Sequence, residues 1–217
     1  MKTFVQIGVF DGVDDFRQRV KDVKPDRVFL IEPNKDIIPV IEQNYKDIVG
    51  MGIQVIIENV AITDGKTSTT SLFLPKSIDN GRAQNGVYYA NSNFSILPMD
   101  DWGTNLIEIK SECISFNEFC FKWGIYHIDF LMIDTEGFDY IIINSIDFNQ
   151  VVIKSIQYEK WPFGTNCFKR HGYNELFGEK GMVHTKKFLE DMGYFLTETE
   201  MDILAIIKPI NNTILDI

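Results

Sequence analysis

Cysteine is scarce in this chain of 217 residues: Cys113, Cys120 and Cys167 are an odd number, with no C-x-x-C spacing. A disulfide framework or a structural zinc site needs more thiols in closer register, so reduced thiols are expected. Long apolar runs are missing too. The isoleucine-rich stretches are broken by Asp, Glu, Lys or Asn well before the roughly 18 apolar residues that a membrane span requires. The opening MKTFVQIGVFDG reaches Asp11 too early for a secretory apolar region and reads as a first strand. A cytoplasmic protein without a membrane partner is the expectation, and the glycosylation-type tripeptides at Asn93 and Asn211 are then chance matches. Clustered basic residues are also lacking: 21 Lys and Arg are scattered among 31 Asp and Glu, for a formal charge of -10. A nucleic-acid groove needs a positive stripe to collect phosphates, so this balance argues against that partner.

What is present fits one ordinary globular domain over residues 1–217, with 45% hydrophobic and 24% charged residues. TFVQI (Thr3 to Ile7) and RVFLI (Arg27 to Ile31) read as strands around a short helix, VDDFRQRVKDV. NKDIIPVIEQNYKDIV has helical spacing, and a start near Asn34 would put a kink at Pro39. IQVIIENVAI (Ile53 to Ile62) reads as a third strand, and TTSLFL as a run that need not join the parallel core. SFNEFCFKWG reads as a helix with Ser115 as cap and Glu118 three residues on. Strand IDFLMI, helix FDYIIINSI and strand VIKSIQYE follow, then helix MVHTKKFLEDM and two closing strands joined by little more than a turn. Alternating strands and helices predict a mostly parallel sheet covered on both faces, with an antiparallel hairpin at the end. Two irregular segments, 75–103 and 160–180, are rich in Asn, Gly and aromatics and are expected to cover a site.

Carboxylates mark the strand ends. Gly8 and Gly12 flank Asp11 after the first strand, where glycine lets a backbone approach a ligand. Glu32 ends the second strand 24 residues after Gly8, the offset of an acid that accepts hydrogen bonds from ribose hydroxyls. The middle and last glycines of a dinucleotide fingerprint are absent, as is the Gly-Lys-Ser/Thr of a mononucleotide loop. A ligand with ribose but no phosphate, met by acids, suits S-adenosylmethionine, whose ammonium and sulfonium are cationic. Asp134 and Glu136, in DTEG, end a buried strand just before a buried helix.

The segments QIGVFDGVDDF, FLIEPNKDIIPVIEQN, ENVAITDGKTSTTSLFL, CISFNEFCFKWGIYHIDFLMIDTEGFDYIIINSI and SIQYEK, in that order, resemble the FkbM family of S-adenosylmethionine-dependent methyltransferases. The likeness runs from about Thr3 to Glu159, and GYFL at Gly193 extends it. Two departures stand out. Gly8-Val9-Phe10 replaces the family's usual Gly-Ala-Asn, and Met132 stands where a Lys is common. The resemblance implies a class I methyltransferase fold, a Rossmann-like doubly wound α/β sheet in the order 3-2-1-4-5-7-6 with strand seven antiparallel. It also implies methyl transfer to oxygen, often on a sugar or polyketide hydroxyl. On that mapping Gly8, Phe10, Asp11 and Gly12 line the methionine moiety, Glu32 with Pro33 and Asn34 holds the ribose, and Asn59, Val60 and Ala61 border the adenine.

In that order strands one and four are neighbours at the topological switch point, so GVFDG and DTEG should share one crevice. Asp134 is then expected to contact the cofactor, and Glu136 or Asp134 to orient or deprotonate a small-molecule or glycan acceptor. A plain helix cap at Asp134 or Thr135 is the competing reading, with Asp139 solvated. Glu159, His171 and Trp102 are the expected acceptor-side residues, Glu159 alternatively pairing with Lys160. No metal is expected, for H-x-x-x-H and D-x-D spacings are lacking. The rival readings are a nicotinamide-dependent oxidoreductase and a catalytically silent binding module.

Overall fold

A computed structural model describes residues 1–75, 81–84, 87–90, 106–160 and 178–207. In chain order it contains β1 (Thr3–Ile7), α1 (Asp15–Val23), β2 (Arg27–Ile31), α2 (Ile38–Asn44), α3 (Lys46–Gly50), β3 (Gln54–Glu58), β4 (Ala61–Thr63) and β5 (Thr69–Pro75). The hairpin β6 (Gly81–Gln84) and β7 (Val87–Ala90) is followed by β8 (Leu106–Ser115), α4 (Phe116–Trp123), β9 (His127–Ile128), β10 (Phe130–Ile133) and α5 (Asp139–Ser145). The last elements are β11 (Val152–Ile153), β12 (Ser155–Glu159), α6 (Gly178–Asp191), β13 (Tyr194–Glu198) and β14 (Asp202–Ile207).

Seven strands form the main sheet, in the order β13-β14-β12-β10-β1-β2-β3. β14 runs antiparallel to both of its neighbours, and the other pairings are parallel. Numbered by their own chain order and read from the β3 edge, these seven strands run 3-2-1-4-5-7-6, as the family resemblance implied. Their apolar runs are continuous because both faces are covered. Val5 and Ile7 of β1 enter one core with Phe29, Ile31, Leu131 and Ile133, against α4 and α5. Phe4 enters the other with Val28, Leu30, Phe130 and Met132, against α1, α2 and α3. Each such buried side chain contributes about 1.5–3 kcal/mol by leaving water.

Local sequence sets several boundaries. Asp14 caps α1 by accepting from the Arg17 N–H at 2.9 Å. Ser115 and Glu118 form the expected reciprocal box at the start of α4. Pro39 lies in the first turn of α2, where its missing N–H costs nothing. The break expected there falls instead at Tyr45, between α2 and α3. The predicted strand from Ile53 to Ile62 also divides. Asn59 Nδ2 turns to donate to the Glu32 carbonyl at 2.9 Å, and Ala61–Thr63 leaves the main sheet to pair with β8. TTSLFL lies outside the parallel core, antiparallel to β8.

The tightest backbone approach joins β1 to β10. Gly8 has φ +80°, and a Cβ there would stand 1.7 Å from the Asp134 carbonyl oxygen. Neither the conformation nor the contact admits a side chain. Gly8→Ala is expected to destabilise the fold by about 3 kcal/mol or more, through left-handed strain and separation of the two strand ends. Urea unfolding of the variant measures it, and a loss no larger than that of an ordinary surface substitution would remove the constraint.

Candidate active site

The crevice forms where β1, β2 and β10 end. Main-chain bonds tie the three together: Gly8 N–H donates to Ile31 O at 3.0 Å, and Asp134 N–H to Ile7 O at 2.9 Å. The loop after β1 is shaped by Glu32. One of its oxygens accepts from Val9 N–H at 3.2 Å and Phe10 N–H at 2.9 Å, and the other from Asn34 N–H at 2.8 Å. This grip holds Phe10 in the left-handed region, φ 51°, which a bulky side chain adopts only when its surroundings enforce it. Burial pushes the Glu32 carboxyl up to about 7 against the opposing pull of the three N–H donors. The oxygen facing Asn34 takes one bond among the described residues, which leaves its second lone pair unused there.

The cavity is bounded by Ile7 to Asp11, Val13 and Asp14 after β1, and by Ile31 to Asn34 and Ile37 after β2. Val60 to Ile62, Leu72 and the turn Asp134-Thr135-Glu136 complete it. Five carboxylates, Asp11, Asp14, Glu32, Asp134 and Glu136, are in that lining, and among the described residues no Lys, Arg or His is. Apolar walls and crowded acids therefore combine. Asp134 is raised to about 7, first by the desolvating protein around it and then by the charges of Asp139, Asp202 and Asp14, although its side chain remains open to solvent. Glu136, held at φ 55°, is raised to about 8 by burial and by Asp134 and Asp139.

Most residues expected from the sequence meet here. Gly8, Phe10, Asp11, Glu32, Pro33, Asn34, Val60, Ala61, Asp134 and Glu136 line the cavity. Gly12 and Asn59 stand behind it: Gly12 faces the Tyr45 ring, and Asn59 braces the end of β2. Glu159 ends β12, outside the lining, and burial followed by the Asp139, Glu136, Asp134 and Asp202 charges raises it to about 9. It does not pair with Lys160, which binds Glu198 at 2.9 Å. Trp102 and His171 lie outside the described residues, as does most of both segments expected to cover the site.

The cap reading of DTEG does not describe the turn, for no side chain caps α5. Asp139, expected in solvent, is 1% exposed. It faces inward because Thr135 and the Glu159 main chain both need its oxygens. Asp14 is a lining residue that sequence reasoning missed; its place just before the first apolar helical position was the available signal. Among the described residues no three His, Cys, Asp or Glu side chains group as metal ligands. Nor, among them, is any helix long and apolar enough to cross a membrane.

The family model described as the methyltransferase FkbM domain matches residues 6–196. No curated protein matches the chain. Similar solved structures include the precorrin-6y C5,15-methyltransferase from Geobacter metallireducens GS-15, at TM-score 0.43 and 14% identity over 94% of this chain and 80% of that one. The methyltransferase FkbM from Methylobacillus flagellatus KT is similar at TM-score 0.47 and 11% identity, over 94% of this chain. This chain spans 43% of that protein's length. A SAM dependent methyltransferase from Aquifex aeolicus is similar at TM-score 0.37 and 10% identity, over 94% of this chain and 80% of that one.

The raised acids make stability depend on pH in a defined direction. Glu32, Glu136 and Glu159 start from 4.5 and rise to about 7, 8 and 9, so the folded state holds more protons than the unfolded one across that window. Stability contributed by the protonated forms is full below the unfolded values and is lost as pH rises through the folded ones. The ligand-free protein is expected to melt at progressively lower temperature from about pH 5 to about pH 9. A thermal melt series measures it; a flat or rising profile would show that these carboxyls titrate normally.

Proposed function

The chain belongs to the FkbM methyltransferase domain family and takes S-adenosylmethionine as its cofactor, and we propose that it methylates a hydroxyl on a sugar or related small molecule or glycan. The observation that carries the cofactor part is the lining of five carboxylates, with no basic side chain among the described residues. Such a wall suits a ligand with an ammonium and a sulfonium. It repels the diphosphate of a nicotinamide dinucleotide, which disfavours the oxidoreductase reading.

On this proposal Glu32 receives the ribose through its spare lone pair, while Pro33 and Asn34 flank it. Val60 and Ala61 border the adenine from the apolar side, with Asn59 bracing the strand end behind them. The backbone of Gly8 to Gly12 and the Asp11, Asp14 and Asp134 carboxylates face the cationic amino-acid end. Bound there, the cofactor supplies an activated methyl group on sulfur. The protein must then align an acceptor oxygen, exclude water and take one proton.

Asp134 and Glu136 are the proposed groups for that proton. Their raised affinities place the exchange near neutral pH, where a general base is both available and basic enough. Glu159 stands on the acceptor side of them, with His171 and Trp102 proposed to reach it from outside the described residues. The acceptor is argued from this pair of carboxyls together with the family resemblance.

Incubating the protein with methyl-labelled cofactor and a panel of saccharides tests the reading. Transfer to a hydroxyl is expected, and removing the base with Asp134→Asn or Glu136→Gln should slow it by about 100- to 10,000-fold. Full rates in both variants, with unchanged cofactor affinity, would sink the base assignment. A protein that neither transfers methyl nor gains thermal stability with S-adenosylmethionine would instead be the silent binding module.

A further inference from the structure

Asp139 lies in the first turn of α5, outside the crevice lining, and is almost wholly buried at 1% exposure. Its carboxylate is used in both directions. One oxygen accepts from Thr135 N–H at 3.2 Å and Thr135 Oγ1 at 2.7 Å, and the other faces Glu159 N–H at 3.4 Å. The neighbouring Tyr140 hydroxyl donates to the Glu159 carbonyl at 3.2 Å, so α5 holds that residue's main chain on both sides. A buried charge is costly, and a turn alone could be closed by Ser or Asn. Only a carboxylate supplies acceptors toward both strand ends at once, because an amide has a single acceptor oxygen.

We propose that Asp139 is a positioning residue for methyl transfer: by joining the Thr135 turn to the end of β12 it fixes Glu136 and Glu159 relative to each other across one acceptor site. The inference rests on the reading that Asp134 and Glu136 serve the acceptor. Its geometry explains three separate features. Thr135, between the two acids, is held to the Asp139 carboxylate through both its N–H and its hydroxyl. Glu136 is kept in a left-handed conformation that the turn must enforce. Glu159, with one oxygen buried and without a partner among the described residues, is brought beside the same cluster. Among the described residues, the charged groups facing this region are Asp134 and Glu136 after β10, Glu159 on β12, Asp202 on β14 and Asp14 before α1. Burial pushes the Asp139 carboxyl itself up, against the pull of its Thr135 and Glu159 donors, and once ionised its charge also raises Asp134, Glu136 and Glu159.

Asp139→Asn separates this role from plain packing. Carboxyl-carbon NMR titration should place the Glu136 and Glu159 midpoints lower by about one unit. The Glu159 amide should lose protection from hydrogen exchange, as the amide side chain can serve only one end. Where an acceptor is in hand, kcat should fall by about 10- to 100-fold, with the acid limb of its pH profile shifted downward. Unmoved midpoints and unchanged exchange at Glu159 would overturn the inference, as would a kcat loss that merely tracks loss of folded protein. Should the variant not fold, Thr135→Val and Thr135→Ser carry the test. Slower transfer in Val restored in Ser supports the clamp, and equal rates in both and in the wild type refute it. These results leave the base assignment standing or falling on Asp134→Asn and Glu136→Gln.

Discussion

The carbonyl oxygen of Asp134 occupies the space where a side chain on residue 8 would begin. This contact brings the ends of β1 and β10 together so closely that the loop after one strand and the acid turn after the other form a single wall. The Gly8 and Asp134 main chains also complete the strand ladder through Ile31 and Ile7. Two acid-bearing loops that could have splayed apart therefore face one cavity. A doubly wound sheet opens at this point because its crossovers diverge to opposite faces, and the two separate cores on either side of β1 follow from the same divergence.

Crowding carboxylates at such a point has an electrostatic cost that a cationic ligand offsets. Desolvation first and neighbouring acids second, Asp139, Asp202 and Asp14 for Asp134 and Asp134 with Asp139 for Glu136, make each hold its proton into the neutral range. A bound cation would favour their ionised forms. On the proposed function, cofactor binding and readiness to accept a proton would be linked through the same charges. Glu32 works differently: main-chain N–H groups offset part of the cost of its burial, and it shapes the loop after β1.

Much of this is legible in the sequence, for physical reasons that differ between elements. β1 and β2 are buried on both faces and so appear as unbroken apolar runs, and the Ser115–Glu118 box is a local code complete within four residues. The Gly8 to Glu32 spacing likewise reports one strand–helix–strand unit. What escaped depends on contacts distant in sequence. Asn59 leaves its strand for the Glu32 carbonyl, and Asp139 turns inward to reach β12, 20 residues away. The left-handed Phe10 and Glu136 were equally hidden, since residue type argues against that conformation and only the surrounding bonds impose it.

The claim that the crevice recognises a cation through its carboxylates can be measured without knowing the acceptor. Calorimetric titration with S-adenosylmethionine and with S-adenosylhomocysteine, which differ in charge at sulfur, should give a severalfold preference for the sulfonium that grows between about pH 6 and about pH 9 as the acids ionise. A preference that stays constant over that range, or tighter binding of an anionic dinucleotide, would contradict the account.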